Sequence, residues 1–279
     1  MLSGTFDSLK TSASQHFSWR LFFLLWGLGV FGLFSVLPYD LSLQKNTLQL
    51  NQLALPLPTI LIIQASIQIL ILGLLTWIGL RLADSLDLGA PKLDAWLCGN
   101  ISIRDYSSSI ILIILLGLAV SALILFLDTT IFSPLVQISL NNGGQNPASI
   151  PNPPIWEGLL AAFYGGVTEE ILLRLFLMTL LAWVGVRSFQ RNNHAPTAGV
   201  MWTANILTSL AFGLAHLPAA ISLGFPLTLV VIIRILLLNG LPGLVYGWLY
   251  WKQGLSGAML AHFSGDILLH AIVPLLALL

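Results

Sequence analysis

The sequence predicts an all-α fold, a polytopic transmembrane helix bundle with about seven to eight spans. Three observations predict it. Of 279 residues, 57% are hydrophobic and only 8% charged, which is too little polar surface to enclose a water-soluble core. Apolar runs of about 20 residues, the length that crosses a hydrocarbon layer, recur between charges and Pro/Gly clusters. Lysine and arginine fall overwhelmingly on one side of the bilayer when the runs are threaded in turn.

Residues 1–20 are rich in Ser, Thr and other polar side chains and read as a cytoplasmic N-terminal segment. No small-residue cleavage pattern follows, so the first run reads as a retained span and not as a removed signal peptide. The candidate spans are 21–37, 59–80, 109–127, 156–186, 197–216, 226–251 and 255–278. The sixth contains Asn239-Gly240-Leu241-Pro242-Gly243 and could divide into two shorter pieces. Residues 128–154, rich in Asn, Gly and Pro and without a basic residue, read as a translocated loop. With the N-terminus in the cytoplasm, Lys10, Arg20, Arg81, Lys92, Arg104, Arg187, Arg191 and Lys252 all lie on that side, against Lys45 outside. The expectation is an integral protein of the plasma membrane or another energy-transducing membrane. A net charge of zero offers no footprint for nucleic acid. The lone Cys98 has no partner for an internal disulfide and sits outside any metal-ligand spacing.

An ionised side chain in mid-bilayer costs roughly 2.5–3.5 kcal/mol on insertion scales, so such residues are by default functional or paired. They gather in the last four spans: Glu169, Glu170 and Arg174, then His216, then Arg234, then His262, Asp266 and His270. The first three spans hold none beyond their ends. Glu170 and Arg174 are four residues apart on one helical face and can neutralise each other. Glu169 is rotated by about 100° from Glu170, which leaves it as the carboxylate with free basicity that a general base for water needs. His262, Asp266 and His270 repeat every four residues and form one polar stripe, on which the acid can fix the tautomer of a neighbouring imidazole. His216 adds an imidazole from another helix, and Phe212, one turn earlier, would shape the pocket beside it. Carboxylates and imidazoles from three helices suffice to polarise a water and stabilise an oxyanion. Plain structural readings stand beside these. Glu170 with Arg174 can simply glue helices, His216 can cap carbonyls at a helix end, His270 can be a bystander, and Arg234 near a span end can snorkel outward.

Three motifs occur in order on successive helices. They are Glu169-Glu170-x-x-x-Arg174, Phe212-x-x-x-His216 and His262-x-x-x-Asp266. Together they resemble those of the CAAX protease and bacteriocin-processing (CPBP, or Abi) family of intramembrane endopeptidases, over roughly residue 158 to the C-terminus. The resemblance divides the chain into residues 1–20, residues 21–154 without catalytic motifs, and a catalytic membrane domain over 155–279. It implies that Glu169 and His216 activate the attacking water, that Glu170 belongs to the same centre with Arg174 and Phe212 supporting it, and that His262 and Asp266 hold the oxyanion or the pocket. Members are commonly described as metalloproteases; a zinc ion, if one is used, would sit on Glu169, His216 and His262. The His-Glu-x-x-His helix of soluble zinc proteases is absent, and the sequence is compatible with either chemistry. Leu173 replaces a frequent aromatic, and Asp266 replaces a more frequent Asn, although an acid donates a hydrogen bond only when protonated.

The function expected is hydrolysis of a peptide bond near the membrane through a Glu/His-activated water, with a peptide or protein substrate and membrane lipid as partners. A proton- or ion-coupled transporter is a competing reading, weakened by the lack of an internal repeat, and a non-catalytic scaffold or immunity protein is another. Gly-rich helices permit close packing without fixing an oligomeric state. One tension stands in this span map. His216 falls near the outer end of its helix and His262 nearer the cytoplasmic half, so tilting, a fourth helix that begins outside the bilayer, or a re-entrant segment over 217–226 has to bring them together.

Overall fold

Within lipid every backbone N–H and C=O must be satisfied inside its own segment, so long apolar runs have little choice but to become helices. A computed structural model describes residues 17–46, 54–100, 109–142, 152–190 and 195–278, and all seven expected spans are present in it as helices long and apolar enough to cross a membrane. We label the spans α1 (Trp19–Leu43), α2 (Leu57–Asp84), α4 (Ile110–Asn141), α5 (Ile155–Phe189), α6 (Ala198–Ser222), α7 (Leu229–Gln253) and α8 (Leu255–Leu276), with the short helix α3 (Pro91–Leu97) between the second and third. No strand occurs among the described residues. Lys10, Arg104 and Arg191, like residues 143–151 of the expected loop 128–154, lie outside the described residues.

Three boundaries differ from expectation, each for a local reason. Helix α1 runs past residue 37 because Pro38 stands in the first turn of the segment Leu37–Leu43, where a missing N–H costs nothing. Helix α4 does not end at Leu127, and the loop expected from residue 128 is helical through Asn142. It passes Asp128–Phe132 as a π-turn, where the hydroxyls of Thr129 and Thr130 donate to the carbonyls of Leu125 and Phe126. The sixth run is a single helix with Pro242 inside it, which frees the carbonyl one turn earlier.

Packing draws the helices together through small residues and a few long-range hydrogen bonds. A side chain at Gly117 of α4 would run into the backbone of Ala261 on α8, so the two helices touch there main chain to main chain. Thr168 on α5 donates to the carbonyl of Gly29 on α1 at 2.9 Å, and the Trp26 indole donates to the carbonyl of Ile69 on α2 at 3.0 Å. Fully buried Leu25, Leu72, Ile171, Met178, Leu249 and Tyr250 fill the space between them. Outward-facing Ile62, Leu70, Ile111 and Leu229 remain exposed, the pattern of a surface solvated by lipid.

Candidate active site

Six of the seven spans contribute to one cavity of about 660 Å³, lined by Glu169, His216, Arg234, His262, Asp266 and His270 among others. Glu169 enters it from α5, His216 from α6, Tyr246 from α7, and His262 and Asp266 from α8. Helix α5 reaches the cavity with π geometry over Tyr164–Glu169 and Ile171–Met178, a wider winding that often marks functional sites. Gly165 is required there: a Cβ at that position would collide with the Asp266 carboxylate and come within 3.2 Å of His262 Nε2.

His262 is the hub. Its Nδ1 donates to Oε1 of Glu170 at 2.9 Å, which fixes the ring and leaves Nε2 to the cavity. That nitrogen lies 3.8 Å from Oε2 of Glu169 and 3.6 Å from Oδ1 of Asp266. Both separations exceed a direct hydrogen bond, so each group keeps a lone pair or N–H for a water lying in the cavity to one side of them. The phenol ring of Tyr246 stacks on the imidazole at 4.5 Å and 22°, and Phe212 meets it edge-on at 5.8 Å. Phe212 also packs edge-on against His216 at 4.7 Å, so one aromatic ring spans the interval between the two histidines that the span map had set apart. His216 donates from Nδ1 to the Phe212 carbonyl at 2.8 Å. The histidine therefore binds a helix-end carbonyl, as a capping role requires, and also lines the cavity.

Beneath the cavity floor Glu170 and Arg174 are both wholly buried. Arg174 Nε lies 3.2 Å from Oε2 of Glu170 but is not aligned to donate to it, and Nη2 donates to the carbonyl of Gly243 at 3.2 Å. The guanidinium sits 5.7 Å from the Phe212 ring centroid. The expected pair exists, yet its carboxylate serves two partners.

Several residues take places that their spacing did not predict. The acid that orients His262 through Nδ1 is Glu170; Asp266 stands on the Nε2 side with Glu169. Arg234 does not snorkel outward, because it faces the cavity and grips Asp128 with two hydrogen bonds, Nε to Oδ1 at 2.6 Å and Nη2 to Oδ2 at 2.8 Å. His270 also reaches the cavity, where its Nδ1 lies 2.9 Å from the Tyr39 hydroxyl. Tyr39, Asp40, Ser121, Asp128, Tyr164 and Tyr246 do not stand out in the sequence although all six line the cavity. The first and third spans, free of motifs, thus build part of the wall.

For a metal ion the donor types fit, since both histidines have the outer hydrogen-bond partner usual for zinc-ligating imidazoles. The spacing is less favourable: among the described residues no three His, Cys, Asp or Glu side chains cluster closely enough to form a ligand set.

The bundle, with seven helices long and apolar enough to cross a membrane, defines an integral membrane protein with a buried acid and histidine centre. Residues 151–268 match the family described as Rce1-like type II CAAX prenyl endopeptidases, in keeping with the resemblance to the CPBP group that the motifs carry. No curated protein and no solved structure matches the chain.

Proposed function

We propose that the protein is an intramembrane endopeptidase in which Glu169 activates the attacking water. The observation that carries this reading is the division of labour around His262. Glu170 takes Nδ1, so Nε2 and the Glu169 carboxylate face each other across 3.8 Å of cavity. A water in the cavity beside the two groups gives its proton to Glu169 while its oxygen attacks the scissile carbonyl carbon. The carbonyl oxygen gains negative charge, which the Nε2–H groups of His262 and His216 stabilise with both rings as imidazolium, since each Nδ1–H is already given to Glu170 and to the Phe212 carbonyl. Collapse of the tetrahedral species breaks the C–N bond, and Glu169 returns the proton to the departing amine. Asp266 shapes the pocket on the Nε2 side, whereas Glu170, Arg174 and Phe212 hold the centre in register.

Glu169, His216 and His262 are the donors a zinc ion would use, and their side chains would have to draw closer together to hold it. The expected partner is a peptide or protein whose scissile bond lies at membrane depth.

Cleavage of a membrane-tethered reporter peptide in proteoliposomes made with ¹⁸O-water tests the reading. Wild-type protein should place one ¹⁸O in the new C-terminal carboxylate, and Glu169→Ala should yield no fragment. Fragments from the variant at the wild-type rate would remove Glu169 from the mechanism, and flux of a solute without any cleavage would favour the transporter reading.

A further inference from the structure

The cavity and most of the basic residues occupy opposite ends of the bundle. Arg20 opens α1, Arg81 and Arg187 lie in the last turns of α2 and α5, and Lys252 closes α7, which puts the four at one end; Lys45 follows α1 at the other. Lys92 belongs to the first end, since its Nζ donates to Oε1 of Gln253 at 3.0 Å and the nearby Gly89 carbonyl receives the N–H of Leu255. On α1, α5 and α6 the lining of the cavity falls in the half of the span remote from that basic end. On α4, α7 and α8 it stops at Ser121, Tyr246 and His262, about seven to eleven residues short of the basic end, or roughly 10–16 Å of helix. The interval is filled. Leu175, Met178 and Leu249 are fully buried there, and the buried Tyr250 hydroxyl pairs with that of Thr179 at 2.6 Å. Toward the other end the wall is polar and open: the side chains of Arg234 and Asp128 are 29% and 22% exposed, and the Tyr39 hydroxyl meets His270 Nδ1 at 2.9 Å.

We propose that the cavity opens to the non-cytoplasmic face of the membrane and is sealed toward the cytoplasm, so that water reaches Glu169 from the outer side alone. Basic flanks stay in the cytoplasm during insertion, which orients the bundle with Arg20, Arg81, Arg187 and Lys252 inside. Packed side chains leave few voids that a water can pass, so the layer around Leu175, Met178, Leu249 and Tyr250 acts as a floor. At the mouth the opposite holds. Paired and partly exposed Arg234 and Asp128 keep their charge where an isolated ion in hydrocarbon would not, and they hold the entrance wet. A hydrolytic centre so placed acts on bonds presented from the outer face and releases the new termini there. That consequence rests on the endopeptidase reading, whereas the sidedness of the cavity does not.

Cys98 supplies an internal reference for the test, being exposed just after α3 at the basic end. A sulfonated, membrane-impermeant thiol reagent is applied to intact bacterial cells carrying the full chain, and then to permeabilised cells. It reacts with the thiolate, hence where water reaches the sulfur. Asp40→Cys on α1 and Asn239→Cys on α7 line the cavity from separate helices, and each is made together with Cys98→Ser and checked for folding by gel filtration. Both should be labelled to completion in intact cells, whereas Cys98 of the wild-type chain should react only after permeabilisation. Labelling of Cys98 in intact cells with the cavity thiols protected would overturn the orientation. Labelling of all three from one face would overturn the seal, and cavity thiols that stay unreacted after permeabilisation would overturn the open mouth. Two tethered reporters, one with its cleavable segment outside and one inside, test hydrolysis separately in the same cells. Cleavage of the outer reporter alone is expected, and cleavage of the inner one alone would refute the sidedness. Outer labelling with neither reporter cut leaves the sidedness standing and removes the hydrolytic reading.

Discussion

Oε1 of Glu170 on α5 and Nδ1 of His262 on α8 are joined at 2.9 Å across 92 residues of sequence. Because Oε2 of the same carboxylate faces Arg174, a single buried acid couples the imidazole orientation to an ion pair that is sealed from solvent. Removing one partner of such a pair strands the other charge in a dry environment.

Arg174→Ala is therefore expected to lower stability by about 3–5 kcal/mol, measured by unfolding in mixed micelles. Replacing both residues, as in Glu170→Gln with Arg174→Met, should cost less than the sum of the single changes, because no uncompensated charge then remains. Strict additivity would show that the two groups do not interact.

Tyr246 stacks on His262 with an interplanar angle of 22°, which restrains the ring that Glu170 orients from its other side. Tyr246→Phe keeps that surface and should retain activity within a few-fold. Tyr246→Ala lets the imidazole tilt, and a misplacement of about 1 Å is worth on the order of 10²-fold in kcat. The pair of variants, compared by steady-state cleavage kinetics, separates ring stacking from any role of the hydroxyl; equal loss in both would assign the effect to the hydroxyl instead.

Glycine positions give a local test of how tightly the centre is built. A methyl group at Gly165 meets the Asp266 carboxylate and crowds His262 Nε2, whereas one at Gly199 meets nothing within 4 Å. Gly165→Ala should abolish cleavage and shift the histidine resonances of the centre, and Gly199→Ala should be silent in both measurements. An active Gly165→Ala protein would mean that Asp266 is free to move aside.

How much of this was legible in the chain depends on what kind of information each feature needs. Span positions follow from hydropathy, a local property, and all seven appear where the apolar runs stand. Convergence of Glu169, His216 and His262 on one cavity also followed, because ionisable residues in lipid have few reasons to exist apart from one another. The double role of Glu170 did not follow. A helical wheel of 3.6 residues per turn assigned it wholly to Arg174, while the chain over Ile171–Met178 is wound as a π-helix and its partner comes from another helix. Asp128 was hidden for a similar reason. Its apolar run ends at Leu127, but the chain continues as a π-turn in which Thr129 and Thr130 donate to the carbonyls of Leu125 and Phe126, and Asp128 there meets Arg234. Tyr246 and Tyr39 lie in apolar stretches where an aromatic residue is unremarkable, and only the tertiary arrangement sets them beside His262 and His270.

Glu169→Gln offers the most direct measurement of the central claim, since it keeps the size and hydrogen-bonding surface of the side chain while removing its capacity to take a proton from water. Single-turnover cleavage of a tethered peptide in proteoliposomes, with the unfolding midpoint recorded in parallel, should show a rate lower by about 10²–10⁴-fold at unchanged stability. A variant that cleaves within a few-fold of wild type at the same stability would contradict the account.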